Sequence, residues 1–215
     1  MMDQLDILKE KWNTQNREYP QVSADNIKKM LAQKSTSIVK WLLIIAIIEF
    51  AVMSSINFLY SFLGSPDEFT RELMNSNFMK VSWAIHIIAI IYFIYLFYKN
   101  YKNISATQPT RSLMKNIIKT RKTMKWYIWY NIIGGFISGM ITTVYMLNNH
   151  PLINELMESG KMDGHETMFY VLTFLILTVI YIIFLGFIYL IYMLIYGILL
   201  KRLKANYDEL KRMEV

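Results

Sequence analysis

Four runs of apolar residues constrain this chain more than any other feature, because each is long enough, or nearly so, to cross a lipid bilayer. They cover Val39 to Leu63, Val81 to Tyr98, Trp126 to Leu147 and Thr167 to Leu200. A hydrocarbon core of roughly 30 Å takes about 20 helical residues at about 1.5 Å each. The second run is just sufficient if its flanks help. The fourth is longer than a crossing requires, so its surplus must project as helix past the headgroups or be absorbed by tilt. Isoleucine, leucine and phenylalanine stand consecutively in these runs instead of alternating with polar residues, which excludes the strands of a membrane β-barrel. The fold class is therefore all-α: an integral membrane four-helix bundle made of two hairpins, preceded by cytoplasmic N-terminal amphipathic helices. Residues 1–38 form the N-terminal segment, 39–200 the spanning domain with a basic connection at 99–125, and 201–215 a C-terminal tail.

The net charge of +7 resembles a nucleic-acid signature until the basic residues are placed between the spans. Seven Lys or Arg precede or include Lys40, eight lie from Lys99 to Lys125 and five follow Leu200, against two from Gly64 to Lys80 and one between Leu147 and Thr167. The positive-inside rule then puts both termini and the middle connection in the cytoplasm and the two short connections outside. The expected localisation is a bacterial cytoplasmic (inner) membrane. The second outer connection fits this, since Glu155, Glu158, Asp163 and Glu166 face only Lys161 there. Trp41 and Trp126 stand at inner boundaries, where indole rings anchor at the headgroup level. A cleavable signal peptide does not account for the first run, because a long polar and amphipathic stretch precedes it.

Ahead of the first span, Leu5, Leu8 and Trp12 recur at helical spacing. Pro20 interrupts that pattern, and Ser23 is a suitable N-cap for a second helix whose Ile27, Met30 and Leu31 make one apolar face and which can run straight into Trp41. After Pro109 the plan repeats. Leu113, Met114, Ile117 and Ile118 form an apolar face, while Lys115, Lys119, Arg121, Lys122 and Lys125 form a basic one. A segment of this kind is expected to lie at the headgroups, each basic side chain near the surface contributing about 1 kcal/mol against anionic lipid. Nucleic acid is not the expected partner, since topology already accounts for these bases and no ladder of aromatic residues is interleaved with them.

Two polar side chains stand inside apolar runs. Glu49 lies ten residues into the first and is expected near the midplane, without a charged neighbour in sequence. His86 in the second lies at a similar expected depth. Intramembrane ionisable groups face protein or water and pair with one another, so the two are expected to meet as a hydrogen-bonded pair. Such a pair serves either as a structural contact fixing helix register or as a proton-handling element. In the third run, Gly135 and Gly139, with Gly134 and Ser138 beside them, leave a face with almost no side-chain bulk, suited to close helix approach. That face can receive the fourth helix or a second copy of the chain in a homo-oligomer, internal packing being the first expectation. Tyr181, Tyr189, Tyr192 and Tyr196 approximate a stripe on the fourth run, as core or interface residues do.

Chemistry has little to stand on. Cysteine is absent, which removes thiolate metal sites and cysteine nucleophiles. His150, Asp163, His165 and Glu166 match no closed metal site, and no Ser/His/Asp grouping or phosphate-cradling glycine loop is present. No cofactor and no catalytic activity are expected. Pro151 opens a short helix after Asn149 or His150 in which Leu152, Ile153 and Leu156 face the bilayer.

The opening Leu5-Asp6-Ile7-Leu8-Lys9 through Trp12, then Pro20, Ser23 and Lys34 to Trp41, resembles uncharacterised small bacterial four-span membrane proteins, some labelled carotene monooxygenase. The oxygenase label does not fit, because carotenoid oxygenases of the propeller type use four histidine ligands and this chain has three histidines. The placement of genes of such proteins beside sigma factors implies a membrane-tethered anti-sigma or related regulatory role, carried by the segment before Trp41. The resulting expectation is a non-enzymatic regulatory or scaffolding membrane protein. Its Leu5, Leu8, Trp12, Ile27, Met30 and Leu31 would bind a cytosolic protein partner. A small transporter or channel component using Glu49 and His86 is the alternative.

Overall fold

A computed structural model describes residues 23–64, 66–104, 108–159 and 164–213, apart from the side chains of Asn57 and Ser61. All regular structure among them is helical. In chain order the helices are α1 (Ala24–Leu63), α2 (Glu68–Asn75), α3 (Asn77–Lys102), α4 (Thr110–Asn149), α5 (Pro151–Glu158) and α6 (Glu166–Arg212). The four long ones, α1, α3, α4 and α6, are long and apolar enough to cross a membrane. The heaviest packing is between α4 and α6, followed by α1 on α3, α1 on α6 and α3 on α4.

Local chemistry sets the boundaries. Ser23 caps α1 by accepting the Asn26 N–H at 3.3 Å, and Pro109 stands just ahead of α4, where its missing N–H costs nothing. Ser76 both ends α2 and begins α3, its hydroxyl accepting from the Met79 amide at 3.3 Å. His150 opens α5, its Nδ1 accepting from the Leu152 N–H at 3.3 Å, with Pro151 at the first helical position. α2 is an element that span-length reasoning did not contain. Asp67 is its cap, accepting from both the amide and the hydroxyl of Thr70.

No break separates the polar first turns of α1 from its apolar run, and α6 runs 47 residues to Arg212, about 70 Å at the helical rise. The surplus of the fourth apolar run continues as helix. Beyond the apolar zone the four long helices go on packing at their basic ends. Leu31, Ala32 and Val39 of α1 form one buried cluster with Ile104, with Leu113 and Ile117 of α4 and with Leu203 and Leu210 of α6. Polar contacts tie the same region together. Asn206 donates to the Ser35 hydroxyl at 3.1 Å and Asn100 to the Thr123 hydroxyl at 3.1 Å, all four residues being buried.

This arrangement corrects two expectations. The apolar face after Pro109 is turned into the bundle instead of lying on a headgroup surface: Leu113 and Ile117 are fully buried, and only Ile118 is exposed. Burial against three neighbouring helices removes more apolar surface than one-sided contact with an interface. Leu31 is also internal, 2% exposed, and is not free to contact a partner.

Candidate functional site: a carboxyl held by three tyrosines

Glu49 projects from α1 towards α4 and α6, where three phenol hydroxyls converge on it. Tyr127 donates to Oε2 at 2.9 Å and Tyr196 to the same oxygen at 2.8 Å, while Tyr192 donates to Oε1. Tyr192 and Tyr196, one turn apart on α6, stack with ring centroids 5.7 Å apart. Tyr127 meets both edge-on, at 6.4 and 6.2 Å. Phe93 and Phe97 of α3 press on Tyr127 from the other side at 5.5 and 5.6 Å, again edge-on. All four long helices therefore contribute to one knot of a carboxyl, three phenols and two phenyl rings.

The expected pairing of Glu49 with His86 is corrected by this geometry. The hydrogen bonds of the carboxyl go to tyrosines, and the His86 ring instead stacks on Tyr130 at 6.0 Å. His86 remains within electrostatic reach of Glu49. Counted from the basic-side ends of the apolar runs, Tyr127 and Tyr196 lie one and four residues in, against ten for Glu49. Tyr192 and Tyr196 were visible in the sequence as part of a stripe. Tyr127 was not, because a tyrosine beside Trp126 reads as an interfacial anchor; it is 1% exposed.

The site marks a change in packing along the bundle. On its basic side lie buried Leu42, Ala46, Ile90, Phe97 and Met124 together with the three tyrosines. On its other side no described residue is buried in 50–63 of α1, 77–89 of α3, 128–146 of α4 or 166–191 of α6. Past those stretches, at the far end, Phe69 of α2 and Leu147 of α4 are buried.

The glycine face of α4 is occupied internally. Tyr181 of α6 donates to the Gly135 carbonyl at 2.9 Å, and a Cβ on Gly139 would collide with the Tyr181 ring. Gly134, by contrast, has nothing within 4 Å of a Cβ, and Ser138 is half-buried.

Among the basic residues, Lys115, Lys119, Lys122 and Lys125 are exposed. Arg121 is half-buried, and its Nε is shielded without a hydrogen-bond partner among the described residues. Ile27 and Met30 are exposed, whereas Leu5, Leu8 and Trp12 lie outside the described residues. His150 packs its ring on Phe69 of α2 at 4.7 Å, and Asp163 lies outside the described residues.

One family model matches residues 25–215, that of a domain of unknown function, DUF8845. The chain belongs to this family. The DUF8845 match takes in all four long helices, and with them Glu49 and its three tyrosines. No curated protein and no solved structure matches the chain.

Proposed function

We propose that this DUF8845 protein is a multi-pass protein of the bacterial inner membrane, with regulatory or scaffolding character and both termini in the cytoplasm. Its two hairpins, α1 with α3 and α4 with α6, hold a rigid helical platform on the cytoplasmic face. One observation carries the reading: the bundle stays packed past its apolar zone, around Leu31, Leu113, Ile117, Leu203 and Leu210, yet leaves Ile27 and Met30 uncovered at its tip. Those two residues are the docking contacts for a cytosolic protein. Leu5, Leu8 and Trp12, outside the described residues, are proposed as further contacts, in the anti-sigma-like manner that the sequence resemblance implies. The exposed lysines of α4 face anionic lipid headgroups, where their attraction adds to the anchoring.

The test places a photo-crosslinking amino acid at Met30 of the full chain in native membranes. The expected product is one discrete adduct with a cytosolic protein, lost when Ile27→Glu is added. Adducts with lipid alone would contradict the reading. A second reading, a small transporter or channel component, draws on the Glu49 knot and predicts ion flux in proteoliposomes that Glu49→Gln abolishes.

A further inference from the structure

Arg121 of α4 stands apart from the other bases of its segment. It is half-buried, and its Nε is shielded from solvent without a hydrogen-bond partner among the described residues. A guanidinium stays charged in proteins, and a shielded N–H left without an acceptor is costly. The chain supplies no carboxylate nearby in sequence, since residues 99–125 hold eight Lys or Arg and no Asp or Glu. Two exposed cations flank it instead, Lys122 beside it and Lys125 one turn on. Continued in steps of four, the row from Arg121 through Lys125 reaches Trp129, which is exposed and whose ring lies 6.5 Å from that of Tyr189 on α6. The row therefore follows the seam between α4 and α6, with charge at one end and an aromatic flank at the other.

Depth decides what can meet such a row. Arg121 precedes Trp126, where the apolar run opens, by five residues, about 7–8 Å along the axis at the helical rise. The headgroup layer on each side of a bilayer core is about 5–8 Å thick. In a spanning α4 the guanidinium thus stands at the level of lipid phosphates. We propose that Arg121, with Lys122 and Lys125, forms a binding site for the phosphate of one anionic phospholipid, whose acyl chains lie against Trp129 along the α4–α6 seam. The planar guanidinium offers paired N–H donors to phosphate oxygens, and the lipid thereby supplies the acceptor that the protein itself does not. The two lysines repel an ammonium headgroup, so phosphatidylethanolamine is a poorer match than phosphatidylglycerol although both carry phosphate. This site rests on the reading that the basic side of α4 faces headgroups, and it adds one defined contact to that diffuse attraction.

The experiment uses the full chain in detergent micelles with phosphatidylglycerol as the probe, read by native mass spectrometry and by thermal unfolding. One phosphatidylglycerol per chain is expected to stay bound at concentrations where phosphatidylethanolamine does not, and to raise the unfolding temperature. Arg121→Gln should weaken that retention at least about tenfold and abolish the thermal shift. Arg121→Lys, which keeps the charge and loses the planar fork, should weaken it about threefold or more. Lys119→Gln, at an exposed base outside the row, should stay within about twofold of wild type. Inorganic phosphate at the same concentration should not displace the lipid. Equal retention by a folded Arg121→Gln or Arg121→Lys protein would overturn the inference, and so would displacement by inorganic phosphate, which would make the free ion the ligand. Equal weakening by Lys119→Gln and Arg121→Gln would overturn it while leaving the headgroup reading in place. No preference for phosphatidylglycerol in the wild-type protein would remove both.

Discussion

A carboxyl set among apolar helices needs a counter-charge or a full complement of donors, and Glu49 has the donors. Hydrogen bonds measured between membrane helices are modest. Tyr192→Phe, which removes one donor and keeps the ring, should therefore lower unfolding free energy by about 1–2 kcal/mol. Tyr189→Phe, against Trp129 and without a hydrogen bond to Glu49, should stay within about 0.5 kcal/mol of wild type in the same denaturation series. Glycine positions separate in the same way. Gly139→Ala forces the Tyr181 ring to move and should cost about 1–3 kcal/mol, whereas Gly134→Ala meets open space and should be neutral or stabilising by up to about 1 kcal/mol. At the α2 cap, the Asp67 carboxyl is held below the ordinary carboxylate range, first by the hydrogen bond from the Thr70 hydroxyl. A depressed folded value means that the cap is fully present above the unfolded carboxylate value and lost as pH falls through the lower folded one. Amide exchange at Thr70, corrected for its intrinsic pH dependence, should accelerate across that acid window, and Asp67→Asn should flatten the response.

Among elements, the long helices were legible from hydropathy, and so were the caps at Ser23 and Pro109, because a run of Ile, Leu and Phe bounded by a hydroxyl cap or a proline has few alternatives. What sequence could not show was which face meets which. The amphipathic stretch after Pro109 satisfies both a headgroup surface and a helix partner, and only the presence of α1 and α6 decides between them. Internal docking predicts that Ile117→Ala costs about 2–5 kcal/mol, from lost burial and the cavity left behind. Ile118→Ala on the exposed side should cost within about 0.5 kcal/mol. If the segment lay flat on lipid, the two substitutions would weaken vesicle binding alike and spare stability. The Glu49 site was half legible for a related reason. The sequence marked the carboxyl as anomalous, and the tyrosine stripe on α6 was visible. Depth counting then favoured His86 over Tyr127, since it placed side chains by their Cα level and ignored the reach of a phenol along the helix axis.

For the molecule as a whole, the long helices share a polarity that no single element has. Leu31, Leu113, Leu203 and Leu210, the Asn206–Ser35 and Asn100–Thr123 contacts and most of the basic residues lie at one end, while the other end has fewer buried residues, Phe69 and Leu147, with the short helices α2 and α5 beside it. The account depends on that polarity being a transmembrane one, with the packed basic end in the cytoplasm. Because the chain has no cysteine, single cysteines can be read without background. The decisive measurement labels Asn75→Cys, Met157→Cys, Gln108→Cys and Arg202→Cys with a membrane-impermeant maleimide in intact cells and again after permeabilisation. The account predicts that the first two are labelled in intact cells and the last two only once the membrane is opened. Labelling of Gln108→Cys or Arg202→Cys from outside, or protection of Asn75→Cys and Met157→Cys, would contradict it.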